Sequence, residues 1–223
     1  MIYDVAIVIS LERRQDRSKR VFKHLQDRGI QNIYSFPAYD GKILPSWLLI
    51  SPPRRPYFSW MKLNNYQIAC TLSHVGAMKM AKGLGAKNAL IFEDDVVLCS
   101  DFTKRLEIFE EESKNLEWEH IYFGGVPRRF DELKPITKHI YKSGFTDGLQ
   151  AYLVNTNGID KLCEAMLSFK TTNDDSVNDI SQNGYLKSFT FLPIASYQFS
   201  DFSELDQKFV NRTDMLNHYR ETL

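Results

Sequence analysis

The sequence predicts an α/β protein, a layered sheet with helices packed against it. Three observations carry this expectation. Val5 to Ser10 is an almost unbroken apolar run of the kind that lies buried on both faces of a parallel sheet. A segment with helical spacing of apolar residues follows at once, and then a second short strand pattern. The same alternation of strands and helices continues along the chain, which favours a layered α/β sheet.

Taken in order, Arg14 to Arg28 places Val21, Phe22 and Leu25 at helical spacing, and Gly29 stands where a C-cap belongs. Ile33 to Phe36 restarts a strand, so the opening reads β-α-β. Asp40 to Tyr57 holds Pro45, Pro52, Pro53 and Pro56 together with Trp47, which no regular element tolerates. It reads as a long surface loop, and loops of that length are more often functional than neutral, so an acceptor-facing or lid role is expected.

Asn64 or Asn65 can cap a helix running to about Lys82, with Ile68, Leu72, Val75, Met78 and Met80 as its apolar residues and Gly83 and Gly85 ending it. Ala89 to Phe92 is a second buried strand, closed by Glu93, Asp94 and Asp95 before Val96 to Leu98 resumes an apolar character. Asp101 can cap a helix from Phe102 to about Asn115. Ile121 to Phe123, Leu149 to Val154 and Phe189 to Ile194 read as further strands. Gly158 to Phe169 reads as a helix with Ile159, Leu162, Met166 and Phe169 on one stripe.

Composition narrows the function classes. A chain of 223 residues is sized for one domain, here 1–223, and 43% hydrophobic with 25% charged residues excludes disordered and collagenous classes. Lys+Arg and Asp+Glu stand at 28 each, so no surface devoted to nucleic-acid phosphates is expected. Met1 to Ser10 lacks a basic lead and runs into the charged Leu11 to Arg20, so it does not read as a signal peptide, and no apolar run has membrane-spanning length. A cytoplasmic location is the expectation, with peripheral membrane contact left open. Cys70, Cys99 and Cys163 are widely spaced without a CxxC pair, and reduced, mostly buried thiols are expected. Asn211-Arg212-Thr213 fits the N-glycosylation pattern and reads as incidental without a secretory signal.

The chemistry concentrates at Glu93, Asp94 and Asp95. Three adjacent carboxylates after an apolar strand raise one another's pKa, and a divalent cation removes that penalty. Alternation along a strand puts Glu93 and Asp95 on one side and Asp94 on the other, a pair suited to an oxygen-seeking metal such as Mg²⁺ or Mn²⁺. A solvated acidic turn is the alternative. Arg13, Arg14 and Arg17 open the first helix and suit an anionic diphosphate, or else a charged helix face. His74 lies on a helix and reads by default as a satisfied, partly buried histidine. Gly83-Leu84-Gly85 follows a helix rather than a strand, which rules it out as a phosphate loop. Asn173-Asp174-Asp175 is a second acidic cluster: Asp174 or Asp175 is either a general base or the cap of a helix through Ile180.

Several segments together resemble glycosyltransferase family 25. Ile7 to Arg17 is similar to the family's opening V-x-N-L-x-x-R-x-D-R, and Tyr66 to His74 to its G-E-x-G-C-x-x-S-H helix. Ala89 to Val96 resembles its acidic strand end, and Gln150 to Val154 and Pro193 to Asp201 its A-Y and Q-x-x-x-S-D segments. Ser10 stands where the family usually has Asn, and Gln67 and Ala69 where it has Glu and Gly.

The resemblance implies a GT-A-like, Rossmann-like fold: a central mixed, mostly parallel β-sheet flanked by α-helices. It implies a UDP-sugar donor with Mn²⁺ or Mg²⁺ bridging the donor phosphates, and transfer of a hexose (galactose, glucose or a deoxyhexose) to a hydroxyl of a glycan or glycoprotein. On that reading Glu93 and Asp95 hold the metal. Leu11, Arg13, Arg14, Arg17, Asp94, Ser73 and His74 lie on the donor side, and Asp174 or Asp175 is the base of an inverting displacement. A sugar nucleotidyltransferase is the rival enzyme, disfavoured because no glycine precedes Gly29; a non-catalytic nucleotide-sugar-binding domain is the third reading.

Overall fold

Strand β1 (Val5–Ser10) is buried along its whole length. A computed structural model describes residues 1–44, 63–199, 201–203 and 208–210, and the rest of the expected Asp40 to Tyr57 loop, together with Asn211-Arg212-Thr213, lies outside them. From β1 the chain enters α1 (Gln15–Asp27) and returns in β2 (Ile33–Pro37). Gly29 follows α1 at φ +77°, a left-handed conformation that costs glycine little. Helix α2 (Asn65–Gly83) begins in a capping box: Asn64 Oδ1 accepts from the Gln67 N–H at 2.9 Å and Gln67 Oε1 from the Asn64 N–H at 2.9 Å. The Gln67 side chain thus completes the cap.

The remaining elements are β3 (Asn88–Glu93), β4 (Val96–Leu98), α3 (Phe102–Glu112), β5 (His120–Tyr122), β6 (Val126–Pro127), β7 (Lys134–Pro135), β8 (Ile140–Lys142) and β9 (Thr146–Asp147). They continue with β10 (Ala151–Asn155), α4 (Thr156–Leu167), α5 (Asn173–Gln182), β11 (Ser188–Phe191), β12 (Ser196–Gln198), β13 (Asp201–Ser203) and β14 (Lys208–Val210).

One mixed sheet of eight strands runs in the order β2-β1-β3-β10-β5-β11-β8-β7. The parallel pairs are β1 with β2, β1 with β3, and β5 with β11. Strand β10 is antiparallel to both β3 and β5, and β8 and β7 close the far side antiparallel. Two-stranded ribbons β4·β12, β6·β9 and β13·β14 flank it.

Strand alternation divides the core in two. Ala6, Val8, Leu90, Phe92 and Leu153 pack with Val21 and Leu25 of α1 and Leu106 and Phe109 of α3. Val5, Ile7, Ile9, Ile91 and Tyr152 pack on the other face with Met78 of α2, Leu162 of α4 and Val177 of α5. Helices on both faces explain why β1 reads as continuously apolar.

Element ends differ from the sequence expectation for identifiable reasons. Asp101 does precede α3, but its carboxylate accepts from Arg105 Nε at 2.9 Å instead of capping the backbone. Helix α4 starts at Thr156, before Gly158, because Asn155 accepts from the Gly158 N–H at 2.9 Å. Thr172, not Asp174 or Asp175, is the N-cap of α5. Strand β11 stops at Phe191, two residues before Pro193.

Candidate functional site

The carboxyl ends of the three adjacent parallel strands open into one cleft of about 360 Å³. Beyond β1 it receives Leu11, Arg13 and, from α1, Arg17; beyond β2, Tyr39 and Asp40; beyond β3, Glu93, Asp94 and Asp95. This is the edge where open α/β sheets gather their ligands. Because β10 runs antiparallel, its leading residues Gly148 and Leu149 arrive at the same edge, with Asp147 just before them. Helices α2 and α5 supply Cys70, Ser73, His74, Asn173 and Asp174, and Gln198 enters from β12.

The acidic triplet splits at the end of β3, where Glu93 is the last strand residue and Asp94 and Asp95 form the turn into β4. Asp94 turns to the α1 face, where Oδ1 accepts from Arg17 Nη1 at 3.2 Å and Oδ2 from Ser10 Oγ at 2.9 Å. Burial raises the Asp94 pKa, while Arg17 and Ser10 pull the other way. Ser10, at the family's usual asparagine position, thus keeps a polar contact by its hydroxyl. Glu93 turns to the α2 face, where Oε1 lies 3.1 Å from His74 Nε2. Gln198 Nε2 donates to Glu93 Oε2 at 3.1 Å and stands 3.5 Å from both Asp95 oxygens, so Glu93 and Asp95 converge on one amide nitrogen.

The second acidic cluster also divides. Asp174 lines the cleft, and burial pushes its carboxyl up to about 6; a hydrogen bond from the Gly148 backbone opposes this, and the charges of Glu93 and Asp147 add to it. Asp175 lies outside the cleft lining. Its Oδ1 accepts from Arg128 Nη2 at 2.9 Å and its Oδ2 from Thr172 Oγ1 at 3.2 Å, a bracing role at the start of α5. Arg128 also grips Asp147 at 2.7 Å, tying the β9 end to that helix.

Arg13 lines the cleft and pairs with Asp40 at 2.5 Å. Arg14 is outside the lining and holds Asp16 at 3.0 Å. Ser73 is buried, donating to the Ala69 carbonyl at 2.7 Å and accepting from the Tyr39 N–H at 2.9 Å, which fixes the chain after β2 against α2. His74 is buried with both ring nitrogens partnered, Nδ1 lying 3.2 Å from the Tyr152 hydroxyl.

Sequence reasoning missed Asp40 and Gln198. Asp40 follows the β2 edge with no flanking pattern to mark it, and Gln198 lies within the Pro193 to Asp201 segment that resembles the family without being singled out in it. The three cysteines are free, with Cys163 buried and Cys70 and Cys99 half-buried.

Charge decides what the cleft can receive. Among the described residues its lining holds the guanidiniums of Arg13 and Arg17 against the carboxylates of Asp40, Glu93, Asp94, Asp95, Asp147 and Asp174, two cationic side chains against six acidic ones. A cation bound there would offset this excess for an anionic ligand.

The family model described as "Glycosyltransferase family 25 (LPS biosynthesis protein)" matches residues 4–177. A Bos taurus protein named "Probable inactive glycosyltransferase 25 family member 3" is 30% identical over 172 residues, covering 73% of this chain and 29% of its own length. "Procollagen galactosyltransferase 2" of Mus musculus is 28% identical over 176 residues, covering 74% of this chain and 28% of its own length. The chain therefore spans under a third of the length of these relatives. No helix among the described residues is long and apolar enough to cross a membrane. With well over half of its residues matched by the family model, the chain belongs to glycosyltransferase family 25.

Proposed function

We propose that the cleft transfers a hexose from a nucleoside-diphosphate sugar, of the UDP type, to a hydroxyl of a glycan or glycoprotein. The observation that carries this reading is the convergence of Glu93 and Asp95 on the Gln198 amide inside an acidic cleft at the strand ends. Two carboxylates that converge on one amide nitrogen are close enough to share a cation, and an all-oxygen pair suits Mn²⁺ or Mg²⁺. When bound, such an ion neutralises charge developing on the leaving nucleoside diphosphate.

The chain's own residues supply the rest. Arg13 and Arg17 offer guanidinium forks to the diphosphate, each steadied by a carboxylate, Asp40 and Asp94 respectively. Asp174, raised to about 6, is ionised near neutral pH and still basic enough to accept the proton of an attacking hydroxyl. Among the described lining carboxylates, Asp40, Asp94 and Asp147 are held by Arg13, Arg17 and Arg128, and Glu93 and Asp95 meet Gln198, which leaves Asp174 as the base and supports a single displacement with inversion. Asp175, committed to Arg128, serves to brace Asp174 and not to act as base.

A second reading, a domain that binds the donor without turning it over, has one observation in its favour: the Bos taurus relative is named as probably inactive. Incubation with a panel of nucleotide sugars and simple sugar acceptors, with Mn²⁺ or with chelator, separates the two. Metal-dependent release of nucleoside diphosphate with a glycosylated acceptor supports transfer. Binding of nucleotide sugar without release supports the silent domain, and release of a nucleoside monophosphate or formation of a triphosphate would identify phosphoryl chemistry instead.

A further inference from the structure

One corner of the cleft is chemically unlike the rest. Cys70 and His74 stand four residues apart on α2, hence on one face of it, and Glu93 approaches from the end of β3. The thiol sulfur, the imidazole nitrogen and a Glu93 oxygen all lie within 4.8 Å of one another. We propose that Cys70, His74 and Glu93 form a binding site for a borderline-soft divalent cation, Zn²⁺ above all, distinct in donor chemistry from the oxygen pair Glu93 and Asp95.

The surrounding groups are those such a site needs. The Tyr152 hydroxyl, 3.2 Å from His74 Nδ1, holds the ring so that Nε2 faces Glu93, the orienting contact that metal-bound histidines use. Asn173 Nδ2 donates to the Cys70 sulfur at 3.3 Å and is itself fixed by Thr71 Oγ1, which donates to Asn173 Oδ1 at 2.6 Å. An N–H donor on sulfur stabilises a thiolate. Cation entry replaces the thiol proton, which leaves to solvent. Sulfur and imidazole donors select Zn²⁺ over Mn²⁺ or Mg²⁺, and three protein ligands leave a fourth position for water. Glu93 serves both donor sets, so Zn²⁺ and the oxygen-bound cation exclude each other; this corollary alone rests on the proposed function.

Titration of the full chain with Co²⁺, a spectroscopic probe for the same donor set, tests the site directly. One equivalent is expected to produce a thiolate-to-cobalt charge-transfer band that one equivalent of Zn²⁺ abolishes. Cys70→Ser should lose the band while Cys99→Ser and Cys163→Ser keep it, and Asp95→Asn should keep it too. Failure of the oxygen-pair reading is thereby separable from failure of this one. If Cys70→Ser does not fold, wild-type chain treated with iodoacetamide gives the same answer: Zn²⁺ should protect Cys70 from alkylation as read by peptide mass. Absence of the band in wild-type chain, its persistence in Cys70→Ser, or alkylation of Cys70 unaltered by Zn²⁺ would each overturn the proposal.

Discussion

The Arg17 guanidinium stands 3.2 Å from the Asp94 carboxylate, and both side chains are largely withdrawn from water. Their contact joins α1 to the end of β3 and turns Asp94 away from Glu93 and Asp95. Removing one partner of a buried pair strands the other charge, which costs about 3–5 kcal/mol. Arg17→Met is therefore expected to lower unfolding free energy by roughly that amount. Arg17→Met combined with Asp94→Asn should recover a large part of it, and urea titration of the four proteins of the cycle measures the coupling. Simple additivity of the two single changes would show that the pair contributes nothing specific.

Asp174 makes a paired prediction in stability and rate. Its carboxyl is raised from 3.8 to about 6, so the folded chain keeps this proton where the unfolded chain has lost it. Its contribution to stability is full below pH 4, falls as pH climbs to 6 and is absent above. At 1.36 kcal/mol per unit, Asp174→Asn should be more stable than wild type at pH 7 by up to about 3 kcal/mol in metal-free buffer. The same variant should lose the ascending limb of the pH–rate profile. Thermal melts from pH 4 to pH 8 check the first part, and a variant whose stability tracks wild type across that range contradicts it.

His120 works in the opposite direction. It is fully buried between the rings of Tyr122 and Tyr152, at centroid distances of 4.4 and 5.2 Å, and burial pushes its pKa down to about 3. The folded imidazole stays neutral while the unfolded chain gains a proton below pH 6.5. Stability from this group is intact above that pH and erodes as acid is added, by about 3 kcal/mol at pH 4. His120→Gln should flatten the slope of stability against pH between 6.5 and 4, whatever its effect at neutral pH. Denaturant titrations at several pH values read the slope directly; an unchanged slope would show that the imidazole is protonated within the fold.

Much of this architecture is legible in the sequence because its signals are local. The apolar run of β1, the Asn64 cap and the acidic close of β3 each depend on a few neighbouring residues, and all three stand where expected. The antiparallel insertion of β10 between β3 and β5 is not legible, since strand direction depends on chain path and leaves no mark on a short buried strand. The short pairs β6·β9 and β4·β12 escape for want of length. In the site, Asp94 does part from Glu93 and Asp95, but through the turn after β3 and not through strand alternation, and the choice between Asp174 and Asp175 turns on Arg128, 47 residues away from Asp175. Gln198 meets Glu93 across 105 residues, a contact no spacing argument reaches.

The most direct test of the central claim is calorimetric titration of UDP into the chain, with Mn²⁺ and with chelator, for wild type and for Asp95→Asn. Saturable binding to wild type is expected only when Mn²⁺ is present, and it should be lost in a folded Asp95→Asn variant. Equal UDP affinity with and without the ion, or an Asp95→Asn variant that binds as wild type does, would contradict it.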